Sequence, residues 1–296
     1  MKKRVFLSIF LIIIMCSAVI GGVFVATTFS AAINPSVTDS GMEIPVDPVD
    51  WSGKINILVM GTDKSTQLTD TMVLFQIDGD NKTIKSLSIP RDTRIKYGSG
   101  YTKINSVYAS KNKELATMQA IKSITGLPIN YYVTVGLDGF VNIIDYLGGV
   151  DITVDMPMKY NDPAQNLHIN IPAGTIHMDG LTAEEYVRFR KGSAGYDGSD
   201  TERMRRQQGF LKALINQKLT LSNIARAGSI FNEIKKYVNT NFTLAQVVDL
   251  ATKMKGIDLG SIQQYEISGY PQTINDISYW IVDTKTLNSD VLPNFK

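Results

Sequence analysis

The feature that most constrains this chain is at its amino end. From Val5 to Thr38 no residue carries a charge, and Val5–Val25 is apolar almost throughout. About 20 such residues cross a bilayer as a helix. Lys2, Lys3 and Arg4 precede the run and hold the short end in the cytoplasm by the positive-inside rule. The reading is a cytoplasmic tail over 1–4, a transmembrane signal anchor over 5–26, a linker over 27–53 and an extracellular domain over 54–296. A cleaved signal peptide is the alternative, but its apolar region runs only about 7–15 residues. Lipid attachment at Cys16 is disfavoured, because Met15 stands where a small residue is needed. Three prolines and many small polar residues between 30 and 53 suit a tether from membrane to domain.

The charge balance narrows the partners. Lys2, Lys3 and Arg4 take three of the 30 Lys+Arg residues, so the other 292 residues carry 27 bases against 28 acids. A domain without basic excess is a poor general nucleic-acid binder, and an outside location argues against direct DNA binding. One Cys and two His exclude an intramolecular disulfide framework, a cysteine zinc site and a multi-histidine metal centre.

Short β-branched runs alternate with helical spacing beyond Lys54. Ile55–Met60, Met72–Ile77, Ile84–Ile89, Tyr131–Val135, Val150–Val154 and Gln263–Ile267 read as strands. Ile104–Ile124, Leu137–Leu147, Arg203–Leu219, Ser229–Val238 and Leu244–Met254 read as helices, and Thr182 to Glu185 as a capping box that opens another. The fold class is α/β: a single mixed-sheet domain with helices packed on it, preceded by one transmembrane helix. Tyr108, Met118, Tyr146 and Met204, at helical spacing, are expected in the core. His168 and His177 alternate with apolar neighbours and receive no chemical role.

No nucleophile elbow, phosphate-binding glycine loop or His-Glu-x-x-His motif occurs, which leaves Asp and Arg to carry chemistry. Asp63 ends one apolar strand and Asp70 begins the next. Facing carboxylates of this kind either converge on a hard cation or shape the turn between them. Arg91, just past a third strand, is placed either to fork onto a phosphate or to pair with Asp92 at the surface. Arg188 and Arg190 project to one side if their segment is extended, and Asp200, Arg203 and Gln207 share a face of the next helix. Five arginines within 19 residues of a domain without basic excess point to a local anion site, against the alternative of a solvated basic face.

These segments resemble the LytR-CpsA-Psr family of Gram-positive cell envelopes. The resemblance runs in order across about residues 54–216: Gly61-Thr-Asp63 with Thr69–Met72, Ser88–Thr93, Lys103–Asn105, Gly139–Val154, Ala173–Arg190 and the Asp200-x-x-Arg203-x-x-Arg206-Gln207-Gln208 string. It implies a membrane-anchored ligase that moves an anionic glycopolymer, such as wall teichoic acid, from undecaprenyl diphosphate to a muramic acid hydroxyl of peptidoglycan. By the same resemblance, Asp63 and Asp70 match Mg²⁺ (or Mn²⁺) carboxylates. Arg91, Arg188, Arg190, Arg203, Arg206 and Gln207 match diphosphate-contacting residues, and Asp200, Arg190 and Arg203 are the catalytic candidates. Lys64 and Leu68-Thr69 depart from the family, which commonly has Arg near those places. A polyprenyl-diphosphate pyrophosphatase and a non-enzymatic envelope-binding or regulatory module are the competing expectations. Phosphoryl transfer needs alignment and charge neutralisation more than a covalent nucleophile, so an Arg/Asp/Mg²⁺ set is chemically sufficient.

Overall fold

The computed structural model describes residues 53–63, 68–163, 167–189, 200–218, 223, 226–254, 257–258 and 261–296. The expected tail and anchor, and the linker up to residue 52, lie outside them. No helix among the described residues is long and apolar enough to cross a membrane.

The centre is a six-stranded mixed sheet. β1 (Lys54–Asp63) pairs antiparallel with β2 (Leu68–Asp78), and β2 pairs antiparallel with β3 (Thr83–Ile89). The sheet order is β11-β6-β1-β2-β3-β12, with β11 (Val238–Thr240) on one edge, β6 (Tyr131–Gly136) parallel to β1 and β12 (Gln263–Glu266) parallel to β3. Alternation along β1 explains why it lies at the centre. Ile55, Ile57 and Val59 enter one apolar cluster, whereas Leu58 and Met60 enter another on the opposite face. A strand buried on both faces needs a layer on each side.

The first layer holds α2 (Leu137–Tyr146), α3 (Gly180–Arg188), α4 (Asp200–Lys218), α5 (Ala227–Ile234) and α6 (Leu244–Met254). It also takes in the antiparallel pair of β7 (Val150–Val154) with β10 (Gly174–Met178) and, inserted between them in sequence, the hairpin of β8 (Met158–Asp162) with β9 (Leu167–Ile171). The second layer holds the 3₁₀ turn Ile104–Ala109, α1 (Lys113–Thr125) and the carboxyl-terminal turns Leu287–Val291 and Leu292–Phe295. Those last turns are tied to the sheet by polar contacts as well: Gln76 Nε2 donates to the Phe295 carbonyl at 2.8 Å, and Lys85 Nζ to that of Asn294 at 2.6 Å.

Three sequence expectations are corrected here. Ile104–Ile124 is two elements, because Ser110-Lys111-Asn112 forms a turn between the 3₁₀ segment and α1. Ser229–Val238 ends early as a helix: α5 stops at Ile234, and Val238–Thr240 becomes β11 on the edge beside β6. The helix expected to open at Thr182 opens earlier, with Asp179 as its N-cap. Of the expected core residues, Tyr108 and Met118 are buried, whereas Tyr146 is exposed and the Met204 side chain lies outside the described set.

Asp179 also yields a pH prediction. Its carboxylate accepts from the Thr182 backbone N–H at 2.8 Å, and this bond above all holds its pKa below the usual carboxylate range. Asp179→Ala is expected to cost about 1 kcal/mol at neutral pH. A lowered folded-state pKa contributes stability above the unfolded value, near ~4, and loses it as pH falls through the folded value. Urea unfolding of both proteins at pH 7 and in the acid limb should therefore show the gap closing on acidification.

Candidate functional site

The topology brings the sequence-flagged residues toward one end of the sheet. β1, β3 and β6 finish there and the antiparallel β2 starts there, so Asp63, Asp70 and Arg91 belong to that end by strand direction alone. Open α/β sheets place ligands outside the carboxyl ends of their strands. α2 begins at this end, immediately after β6, and Phe140 in its first turn lies 6.2 Å from Phe210 of α4, ring centre to ring centre. Arg206 and Gln207 lie one turn before Phe210, so the amino half of α4 reaches the same end.

Asp70 is set apart by a β-bulge. Gly61 pairs with Thr71 and Thr62 with Thr69, so Asp70 is the extra residue on β2. Bulges re-aim one side chain and are enriched beside active sites. Its Oδ1 accepts from Arg91 Nη1 at 2.5 Å. The chain of ions continues: Arg91 Nε is 3.7 Å from Asp92 Oδ2, and Asp92 Oδ1 is 3.0 Å from Lys103 Nζ. Nε–H of Arg91 is buried and has no hydrogen-bond acceptor among the described residues. The turn carrying Arg91 is clamped from below. Thr93 Oγ1 donates to the Pro90 carbonyl at 2.6 Å, Ile104 N–H to Thr93, and Asn105 N–H to Arg91. Lys103-Ile-Asn105 is thereby the support of the Arg91 turn.

The helical residues form a second group. Arg188 is the last residue of α3 and not part of a strand; Phe189 leaves the helix with φ −55° and ψ 130°. That corrects the expectation of an extended Arg188–Arg190 pair, whose second member lies outside the described residues. Arg188 Nη1 donates to Glu184 Oε1 at 2.5 Å, one helical turn back. Arg206 is buried and donates from Nη2 to the Phe189 carbonyl at 3.0 Å, with its guanidinium 5.2 Å from the Phe189 ring centre. Gln207 has no exposure and donates to the Val187 carbonyl at 2.9 Å. The last carbonyls of any helix lack intrahelical donors, so Arg206 and Gln207 close α3 and fix its end against α4. Gly180, at the other end of α3, permits the close crossing with α2, because a Cβ there would collide with the backbone of Val141. Asp200 and Arg203 lie in the first turn of α4; their side chains, and that of Asp63, lie outside the described set.

Two partners escaped the sequence reading. His177 Nδ1 lies 2.8 Å from Asp151 Oδ1, its direct cross-strand neighbour between β10 and β7, an exposed pair far along the sequence. The chain beyond residue 255 also reaches the site region, since Trp280 N–H donates to the Asp92 carbonyl at 2.8 Å. Among the described residues no group of three or more His, Cys, Asp or Glu side chains is placed to hold a metal ion.

A profile of the LytR_cpsA_psr family matches residues 23–291. The chain belongs to this family. It is 32% identical over 208 residues to the polyisoprenyl-teichoic acid–peptidoglycan teichoic acid transferase TagV of Bacillus subtilis, a match spanning 68% of this chain and about half, 52%, of that protein. TagU of the same organism, a transferase of the same name, is 27% identical over 276 residues, covering 92% of this chain and 86% of its own. The crystal structure of B. subtilis TagV superposes with a TM-score of 0.61 at 28% identity, covering 82% of this chain and 97% of the other. The mixed sheet with helices on it is therefore the fold of the family.

Proposed function

We propose that this protein is a glycopolymer–peptidoglycan phosphotransferase, which moves an anionic polymer such as wall teichoic acid from undecaprenyl diphosphate to a muramic acid hydroxyl. The observation that carries the reading is the bulged Asp70 held by Arg91 at the carboxyl end of the sheet, within a chain whose relatives are named for this transfer. In this reaction the acceptor oxygen attacks the phosphorus that bears the polymer. The bridging P–O bond breaks, polyprenyl monophosphate leaves with the electron pair, and the acceptor proton passes to a base.

Arg91 supplies a planar, permanently charged guanidinium for phosphate oxygens, aimed by its bond to Asp70. Arg190 and Arg203 are assigned the developing charge on the leaving phosphate, and Asp200 the acceptor proton. Arg206 and Gln207 act by holding the end of α3, from which Arg188 and Arg190 follow. Asp63 and Asp70 offer oxygen donors from facing strand ends, which suits Mg²⁺; that cation typically takes one or two carboxylates and completes its shell with phosphate oxygens and water. When bound, it neutralises charge on the diphosphate. A catalytic domain outside the membrane and an anchor over 5–26 belong to the same proposal, since the donor lipid resides in the bilayer.

The test uses the full chain in detergent micelles, a short-chain polyprenyl-diphosphate glycan and Mg²⁺, with and without peptidoglycan oligomers. The expected result is release of polyprenyl monophosphate that requires the acceptor and yields a glycan adduct. Release without acceptor would replace the transferase with a pyrophosphatase, and binding without release would replace it with a non-enzymatic module.

A further inference from the structure

Two hairpins that the mechanism does not use meet beside the Arg91 turn. β4 (Arg94–Tyr97) pairs with β5 (Gly100–Lys103), and β13 (Gly269–Ile274) pairs with β14 (Ile277–Val282) around a turn whose Asn275 and Asp276 both have positive φ, the pattern favoured in two-residue hairpins. Thr93, just before β4, and Trp280 of β14 make one isolated parallel bridge, so the two hairpins lie edge to edge.

Register assigns its faces. Residues directly opposite one another share a face, and neighbours along a strand alternate. Thr93 and Ile95 are buried, on the inward side with Trp280. The other side gathers Arg94, Lys96, Tyr101 and Lys103 from one hairpin with Tyr270, Gln272, Ile277 and Tyr279 from the other, Tyr279 being buried and the rest of that strand pair open. Arg94 confirms the grouping: its guanidinium stacks 3.6 Å from the Tyr101 ring centre and lies 5.6 Å from that of Tyr279. Its Nε–H is buried without a hydrogen-bond acceptor among the described residues. Tyr101 and Tyr270 are 57% and 54% exposed, unusual for rings held on a paired sheet.

We infer that this face is the platform for the acceptor, an acidic amino-sugar strand of the peptidoglycan type; the inference rests on the transferase reading and gives it a second subsite. Three features choose this occupant. Sugar rings present C–H faces to aromatic rings and hydroxyls to a polar rim, and the exposed Tyr101 and Tyr270 with Lys96 and Gln272 offer both. The segment from Arg94 to Lys103 carries three cations and no acid, which complements the carboxylates of peptide-substituted muramic acid. The face is also continuous with the diphosphate site, through Lys103 to Asp92, Arg91 and Asp70. A membrane-inserting surface needs a broad apolar area, and of the large exposed aliphatic residues only Ile277 lies on these hairpins, at the turn end.

The experiment measures binding of a peptide-bearing N-acetylglucosamine–N-acetylmuramic acid tetrasaccharide to the full chain in micelles by calorimetry. Tyr101→Ala and Tyr270→Ala should each weaken it roughly tenfold. Tyr146→Ala, on an exposed ring at the end of α2, should leave it unchanged. A photoreactive tetrasaccharide on the unaltered chain should crosslink within 94–103 and 269–282, which keeps the idea testable if a variant fails to fold. Absent binding, variants with unchanged affinity, or crosslinks elsewhere would overturn it. So would quenching by brominated phosphatidylglycerol, in proteoliposomes, of a tryptophan placed on the face itself by Tyr101→Trp in a chain that also carries Trp51→Phe and Trp280→Phe, since the face would then lie on lipid. Tetrasaccharide binding at this face without any polymer transfer would sink the transferase reading and leave the platform standing.

Discussion

Arg91→Ala is expected to lower polyprenyl monophosphate release by about 10²–10³-fold, the range found when one donor to a developing charge is removed. The fold should survive it. The Arg91 and Asp70 side chains are 38% and 31% exposed, and ion pairs so accessible to water contribute about 0–1 kcal/mol. A thermal midpoint within a few degrees of the parent, beside a large loss of turnover, would separate a catalytic from a structural role. Arg91→Lys should restore little, because an ammonium keeps the charge but not the planar fork. Asp70→Asn approaches the same pair from the other side. It removes the carboxylate that the bulge aims and the charge that Arg91 neutralises, and it should raise the Mg²⁺ concentration needed for half-maximal release. Unchanged turnover in Arg91→Ala would show the 2.5 Å contact to be only a surface ion pair, and the assigned site would fail with it.

What the sequence reveals of this site follows from the range of each signal. Asp63, Asp70 and Arg91 are legible because each stands at the edge of an apolar run, and strand ends on one side of a sheet converge whatever the register. The bulge at Asp70 is not legible, because pairing register belongs to two strands and local pattern to one. The same limit hid Lys103, whose ammonium meets Asp92 only once β5 folds back along β4. Arg188 misled for another reason. Tyr186-Val-Arg-Phe alternates as a strand does, yet Asp179 caps a helix that runs through it, and the carbonyls it leaves open are met by Arg206 and Gln207 about 20 residues on. The strands from Met158 to Met178 and from Gly269 to Val282 are short, turns break the period between them, and β10 pairs back with β7 across the whole β8–β9 hairpin, so the apolar pattern there is too brief to stand out.

The largest expected loss of stability comes from Phe210→Ala. Phe210 is fully buried, with the rings of Phe140 and Tyr186 at 6.2 and 6.1 Å in tilted contact, so it joins α2, α3 and α4 at one point. Emptying such a site removes the ring's burial and leaves a cavity that three helices cannot readily close, which costs about 3–5 kcal/mol. Domain stabilities run to roughly 5–15 kcal/mol in total, so the variant should unfold at markedly lower urea, with an unchanged dependence on denaturant. Phe210→Leu keeps most of the volume and should cost much less. Function should be affected beyond the fraction unfolded. Arg206 and Gln207 lie one turn before Phe210, and their bonds to the α3 carbonyls depend on α4 staying in register. Below the unfolding transition, Phe210→Ala should therefore show a raised requirement for lipid donor, whereas Phe210→Leu should not. Equal donor requirement in both would mean that the aromatic cluster supports the fold without positioning the phosphate-binding end of α3.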